Sequence, residues 1–292
     1  MINHQDQQAF YSEFTERNSG FISLAMQERL STLRVLVAGA GSTGGAVCEP
    51  LVRAGVQHLA IADNGCYELN NLNRQRATTA AIGTNKATWI SRTLLQINPF
   101  VETIAITEGV TEQNVDALLQ SADLIIDAID VTTMQGLSAK ALLHEKAARS
   151  GHTVISAYDL GFRQYIRIFD YSQGDAPLGG KFPQIRNATT PMDALAQLIP
   201  VSAIPLELAE EIKRLIASPG SSISQLGCTA DLFGALIVPI VMDIIEGTSR
   251  KKAFIVDLRS PRMSVLQRSL RRARVIAILL PLALRARMRH GK

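Results

Sequence analysis

Cysteine is scarce in this chain, and the few that occur stand apart. Three cysteines in 292 residues, Cys48, Cys66 and Cys228, form no CxxC pair. That argues against a disulfide-stapled scaffold and a cysteine-rich zinc site, and it suggests a reducing compartment, so a cytoplasmic location is expected. Aromatic residues make up only 5% of a chain that is 47% hydrophobic, which favours an aliphatic α/β core over a β-sandwich or a disordered chain. No charge of one sign dominates: a net +4 neither demands nor excludes a nucleic-acid partner. The opening MINHQDQQAF has no apolar signal-peptide region. The apolar run at 275–284 is about half of the roughly 20 residues that a spanning helix needs, so no membrane span is expected.

What is present is a regular alternation. A polar, helical leader (1–32) precedes RVLVAGAG, a β-rich run that breaks into glycines. EPLVRAGV reads as helix and HLAIAD as a second strand. Helical spacing over 85–97, a strand VETIAI, a helix capped by Thr111, a buried strand LIIDAID, a helix ending at Gly151 and a strand TVISAY follow. Alternating strands and helices over 33–158 predict a doubly wound, Rossmann-like, mostly parallel α/β sheet. QYIRIFDYS suits an antiparallel addition to that sheet. Residues 172–192 read as a long loop, 193–217 and 228–247 as helices, and KAFIVDL as a strand. The divisions expected are a leader at 1–32, a nucleotide-binding unit at 33–170, a crossover loop and substrate-side extension at 171–263, and a basic C-terminal helix at 264–292.

Gly39, Gly41 and Gly44 satisfy GxGxxG between a strand and a helix. Glycine there lets backbone approach a phosphate at a helix N-terminus, where free N–H groups and the dipole favour anions. Asp63 ends the second strand 22 residues after Gly41, where an acid accepts hydrogen bonds from ribose hydroxyls. Alone this unit would suit a nicotinamide dinucleotide. Further on come Asn71-Leu72-Asn73-Arg74-Gln75, then Lys86, then Asp127-x-x-Asp130.

That ordered set resembles the ThiF/MoeB/HesA and ubiquitin-E1 adenylation domain over about residues 17–170. The resemblance implies that a carboxylate attacks the α-phosphorus of ATP, giving an acyl-adenylate and pyrophosphate. It implies Arg74 and Lys86 as clamps on the phosphates, Asn71 and Gln75 as orienting groups, and Asp130 as the ligand of Mg²⁺. Fixed cations and a metal suit charge that builds on phosphate oxygens. Arg17, in the leader, fits a family arginine that reaches the partner subunit's ATP site, implying a homodimer. Asp127 is expected to face a structural partner.

The chain also departs from the family. Many relatives hold a structural zinc between two CxxC pairs, and none is expected here. The loop YSQGDAPLGGKFPQIRNATTPMD contains no cysteine, so thioester or persulfide chemistry from it is not expected. Cys228 reads as a buried core residue. Direct trapping of the acyl-adenylate remains, by dehydrative cyclisation or amidation. Zinc-free relatives of this kind act on tRNA threonylcarbamoyladenosine or on ribosomally made peptides, as in pantocin-type antibiotic maturation. A peptide carrying the carboxylate is the preferred substrate, and tRNA the less favoured one. The alternatives within the family are a tRNA threonylcarbamoyladenosine-type dehydratase and a sulfur-carrier adenylyltransferase; the rivals of another class are a nicotinamide-dependent oxidoreductase and a non-catalytic E1-like partner subunit. In the tail, Arg268, Arg271, Arg272, Arg274, Arg285, Arg287 and Arg289 surround an apolar centre. It reads as a helix docked on its own domain, with Pro281 expected to break or kink it.

Overall fold

The computed structural model describes residues 4–217, 223–248 and 251–290. In chain order the elements are α1 (His4–Thr15), α2 (Leu24–Thr32), β1 (Arg34–Ala38), α3 (Ser42–Ala54), β2 (His58–Ala62), α4 (Lys86–Ile97) and β3 (Glu102–Ile106). Then come α5 (Val115–Gln120), β4 (Leu124–Asp127), α6 (Met134–Ser150), β5 (Thr153–Leu160) and β6 (Arg163–Asp170). Helices α7 (Phe182–Arg186), α8 (Pro191–Leu198), α9 (Leu206–Ala217) and α10 (Gly227–Glu246) follow, then β7 (Ala253–Asp257) and α11 (Val265–His290).

The strands form one sheet in the order β3-β2-β1-β4-β5-β6-β7. The first five run parallel, and β6 and β7 add antiparallel. Because side chains alternate along a strand, each strand feeds two cores. Val35 and Val37 point to one face, with α3, α4 and α10; Leu36 and Ala38 point to the other, with α5 and α6. This is the doubly wound arrangement expected, and it gathers the carboxyl ends of β1, β2, β4 and β5 along one edge.

Helix α10 is long and apolar enough to cross a membrane, which the shorter run at 275–284 did not anticipate. Its stripe of Ala230, Phe233, Ile237, Ile240 and Val241 is buried in the core with α3. At the crossing, a Cβ on Gly234 would lie 2.5 Å from the carbonyl of Ala46. Glycine thus sets the close approach of the two helices, and each fully buried large side chain adds about 1.5–3 kcal/mol.

Several local expectations need correction. Helix α5 starts at Val115 with Asn114 before it; Thr111 does not cap it, because its N–H donates to Asn114 Oδ1 at 2.8 Å in a turn. The loop expected at 172–192 contains α7 and the start of α8, since Pro183 and Pro191 sit in first turns, where their missing N–H costs nothing. The helix expected at 193–217 is two, α8 and α9, separated at Ile199–Pro205. Helix α11 runs through Pro281 without ending there. A single lost backbone donor does not stop a helix whose flanking turns remain bonded, and Pro50 and Pro239 are carried similarly inside α3 and α10. Its docking is as expected: Val275 is buried against Leu206 and Ala209 of α9, and Arg271 pairs with Glu207. The side chains of Arg285, Arg287 and Arg289 lie outside the described residues.

Cys228 is exposed, contrary to expectation. The buried stripe of α10 passes through Thr229 and Ala230, and a residue one place earlier points about 100° away. Cys48 is the buried thiol, and burial pushes its pKa up to about 12, which makes it unreactive.

Candidate nucleotide site at the carboxyl edge of the sheet

The chain leaves β1 through Gly39, whose φ of +91° is left-handed. A Cβ there would lie 2.3 Å from the carbonyl oxygen of Ala128, and one on Gly44 would lie 1.8 Å from the carbonyl oxygen of Gly39. Only glycine permits this turn to close over the start of α3. Backbone bonds from Gly39 N to Ala62 O and from Ala128 N to Ala38 O, both 2.8 Å, tie the loop to β2 and to the end of β4.

Asp63 holds the next layer. Its Oδ2 accepts from Ala40 N at 2.6 Å and its Oδ1 from Gly65 N at 2.7 Å. A carboxylate has about four lone-pair sites, so two such bonds leave room for ribose hydroxyls. Lys86 opens α4, and its Nζ lies 3.3 Å from where a Cβ on Gly65 would stand, beside Asp63. It forms no ion pair among the described residues. A cation in the first turn of a helix opposes the macrodipole, and with Asp63 beyond ion-pair distance the ammonium is left open to a further anion.

The segment 69–75 contributes differently from residue to residue. Asn71 is buried, and its Oδ1 caps the short 3₁₀ turn by accepting from Glu68 N at 3.2 Å. Gln75 is also buried, and its Oε1 has no hydrogen-bond partner among the described residues, while its Nε2 lies 3.9 Å from a Cβ position on Gly41. A buried amide oxygen without a donor costs about 1–3 kcal/mol. Arg74 is held by Gln225 Oε1 at 2.6 Å, Asn70 O at 2.7 Å and Asn73 Oδ1 at 2.9 Å. The guanidinium is thus oriented by the approach to α10, about 150 residues away in sequence.

Asp130 lies three residues past the end of β4, not in the strand, and is exposed. Its Oδ1 accepts from Thr132 N at 2.8 Å and Thr132 Oγ1 at 2.7 Å. No group of three or more His, Cys, Asp or Glu that could hold a metal occurs among the described residues. A lone carboxylate still fits Mg²⁺, which is commonly held by one or two carboxylates plus substrate phosphates.

Asp127, by contrast, is fully buried and structural, as expected. It pairs with Lys140, accepts from Ser156 Oγ at 2.6 Å and contacts His144 Nε2 at 2.9 Å. Burial alone would raise its pKa, but the Lys140 ammonium and the His144 contact outweigh that and hold it well below the carboxylate range.

Arg17 is not brought to this site within one chain. Its neighbour Asn18 bonds the carbonyl of Ala54 at 3.5 Å, at the far end of α3 from the glycine loop. Twelve helical steps put that about 18 Å from Ser42. Sequence reading missed two residues, Gln225 and Asp159. Asp159, near the end of β5, accepts from Thr43 Oγ1 at 3.0 Å. With the Gln164 amide nitrogen turned toward it, it also accepts from Gln164 at 2.7 Å. Burial pushes its pKa up to about 6, offset in part by Thr43, Gln164, Ser42 and the charge of Arg74. The signal was there for Asp159, an acid ending a buried strand as Asp127 does; none existed for Gln225.

Residues 15–275 match the sequence model of the ThiF family. The chain belongs to the ThiF family. Among curated ThiF-like relatives, HesA of Nostoc sp. is 32% identical over 143 residues, covering 49% of this chain and 55% of that protein. The adenylyltransferase and sulfurtransferase UBA4 of Eremothecium gossypii is 30% identical over 149 residues, covering 51% of this chain and 32% of that protein. The match therefore spans about a third to a half of these relatives' length. Among solved structures, PaaA superposes with a TM-score of 0.60 at 18% identity, covering 89% of this chain and 82% of that one. The tRNA N6-threonylcarbamoyladenosine dehydratase of E. coli superposes at 0.58 with 17% identity, covering 86% and 99%. At such identities the likeness is one of fold.

Proposed function

We propose that this ThiF-family chain is an ATP-dependent adenylyltransferase that activates a carboxylate as its acyl-adenylate. The observation that carries the reading is the meeting, at one sheet edge, of the glycine loop, the unpaired Lys86 ammonium, the braced Arg74 guanidinium and the partnerless Oε1 of Gln75. The substrate carboxylate oxygen attacks the α-phosphorus, and the bond to the pyrophosphate oxygen breaks. Arg74 and Lys86 bind and orient the phosphates and offset charge on the leaving pyrophosphate. The Gln75 amide and the N-terminus of α3 fix the phosphate chain, and Asp63 takes the ribose hydroxyls. Asp130 would hold Mg²⁺, which when bound shields phosphate charge.

A peptide bearing the carboxylate, followed by direct trapping as an amide or a ring, fits the absence of cysteine from residues 171–192. In a homodimer, Arg17 of each chain completes the partner's site, which accords with its distance from its own glycine loop. Mixed dimers of Arg17→Ala and Lys86→Ala chains should regain one working site; failure to complement would return Arg17 to the solvated surface. The first test is calorimetric titration of wild type and Lys86→Ala with ATP and with NAD, each with Mg²⁺. ATP binding weakened at least about tenfold by the substitution, a loss of about 1.4 kcal/mol, supports adenylation. Preference for NAD, or binding of neither, overturns it.

A further inference from the structure

We propose that the groove between the end of β7 and helix α11 docks an acidic peptide segment that also carries aliphatic side chains. The groove has a volume of about 500 Å³; Arg259, Arg262, Arg271 and Arg274 wall it, and Leu258, Met263 and Leu270 line it between them. Leu258 and Leu270 are 40% and 56% exposed, so apolar surface is left facing water beside the guanidinium groups.

The fold already shows how these arginines treat a carboxylate. Glu207 of α9 receives Arg259 at 2.5 Å and also pairs with Arg271. The adjacent acid, Asp257, is occupied by Arg163 at 2.6 Å. Arg262 and Arg274 therefore have no ion-pair partner among the described residues, and the groove keeps an excess of positive charge. Guanidinium forks match carboxylates bidentately, and the exposed leucines offer burial to an aliphatic side chain.

The lining also separates a peptide from other anions. It contains no aromatic side chain, whereas single-stranded nucleic acid is typically held on aromatic platforms. A peptide with alternating acidic and aliphatic residues uses both chemistries of the groove.

Its location gives the groove a purpose. In the sheet register Leu160 pairs with Arg163, and Arg163 with Asp257. The end of β7 thus lies at the same edge as the end of β1, which carries the glycine loop, about four strand spacings, or roughly 19 Å, away. An extended segment docked there crosses that gap in about six residues, and so can anchor the peptide whose carboxylate is activated. That last step alone rests on the adenylation reading.

The test is fluorescence anisotropy at low salt with a fluorescein-labelled peptide of about 12 residues repeating Glu-Glu-Leu. Wild type should bind it, and an Arg262→Glu/Arg274→Glu double variant should bind at least about tenfold more weakly, with an unchanged circular dichroism spectrum. Replacing Glu by Gln, or Leu by Ser, should each weaken binding several-fold. Equal binding by wild type and double variant overturns the docking. So does tighter binding of an oligouridylate of similar length, or of anionic phosphatidylserine vesicles. A fall in mass by light scattering in the double variant would reassign the groove to contact between two copies of the chain. ATP binding measured on the same samples separates the two readings. Peptide binding without ATP binding overturns adenylation alone, and ATP binding without a peptide effect overturns the docking alone.

Discussion

Replacing Asp127 by asparagine keeps its shape and removes its charge, and the structure sets what that should cost. The Asp127 and Lys140 side chains are 0% and 1% exposed, so water cannot compensate either of them. Burial alone would lower the Lys140 pKa, yet the facing carboxylate outweighs it and raises the pKa. Without that carboxylate the ammonium is left uncompensated in the core, a loss of about 3–5 kcal/mol. The bonds from Ser156 and His144 are weakened as well. A loss of about 4 kcal/mol is a large share of the 5–15 kcal/mol that stabilises a typical domain. At roughly 2 °C per kcal/mol for a chain of this size it lowers Tm by about 8 °C. Urea unfolding followed by circular dichroism at pH 7 measures it. The double variant Asp127→Asn/Lys140→Met should recover most of the loss, since no unpaired charge remains. A single-variant cost below about 1 kcal/mol, or a double variant no better than the single, would refute the assignment of an ionised, stabilising pair.

The same core sets an acid limit. Burial holds the His144 pKa below its ordinary value, so the unfolded chain takes up a proton below about pH 6.5 that the folded chain resists, and stability falls as pH drops. Asp127 adds to this below about pH 4, where the unfolded carboxylate protonates first; a midpoint denaturant concentration that is flat from pH 7 to 4 would contradict the His144 effect, and one flat from pH 4 to 2 the Asp127 effect. Asp159 acts in the opposite sense. Its pKa is raised to about 6, so its contribution is fully present below about pH 4 and lost as pH rises through 6. Asp159→Asn should therefore gain up to about 3 kcal/mol over wild type at pH 8 and little at pH 4, and equal differences at both values would exclude a perturbed carboxylate. Arg74→Ala should weaken ATP binding by tenfold or more in calorimetry. Gln225→Ala, which removes one of the three acceptors that hold the guanidinium, should cost about two- to fivefold; a Gln225 effect equal to that of Arg74 would mean that the glutamine touches the nucleotide itself. Gly44→Ala places a Cβ 1.8 Å from a backbone oxygen and should lose both ATP affinity and several degrees of Tm, so a normal variant would show that the loop closes less tightly.

The parts of this protein legible in its sequence are those written in short-range spacing. Strand and helix periods produced the doubly wound sheet, and GxGxxG between β1 and α3 produced the loop. The ordered run from Asp63 through Arg74 and Lys86 to Asp130 pointed to the ThiF family. Each signal spans a few residues and depends on local backbone geometry. Element ends were less legible where one residue decides them, as at α5, whose start depends on a turn between Thr111 and Asn114.

Tertiary structure alone decided the rest, because it depends on which distant groups meet and on angles finer than a pattern records. A one-residue step around α10 separates the buried Thr229 from the exposed Cys228. Gln225 reaches Arg74 only because α10 packs across α3. Asp127 and Asp130 lie three residues apart, yet one is sealed beneath the loop with Lys140 and His144 and the other faces water. Sequence identified both as acids at a strand's end; burial, which belongs to the whole fold, assigned them different chemistry.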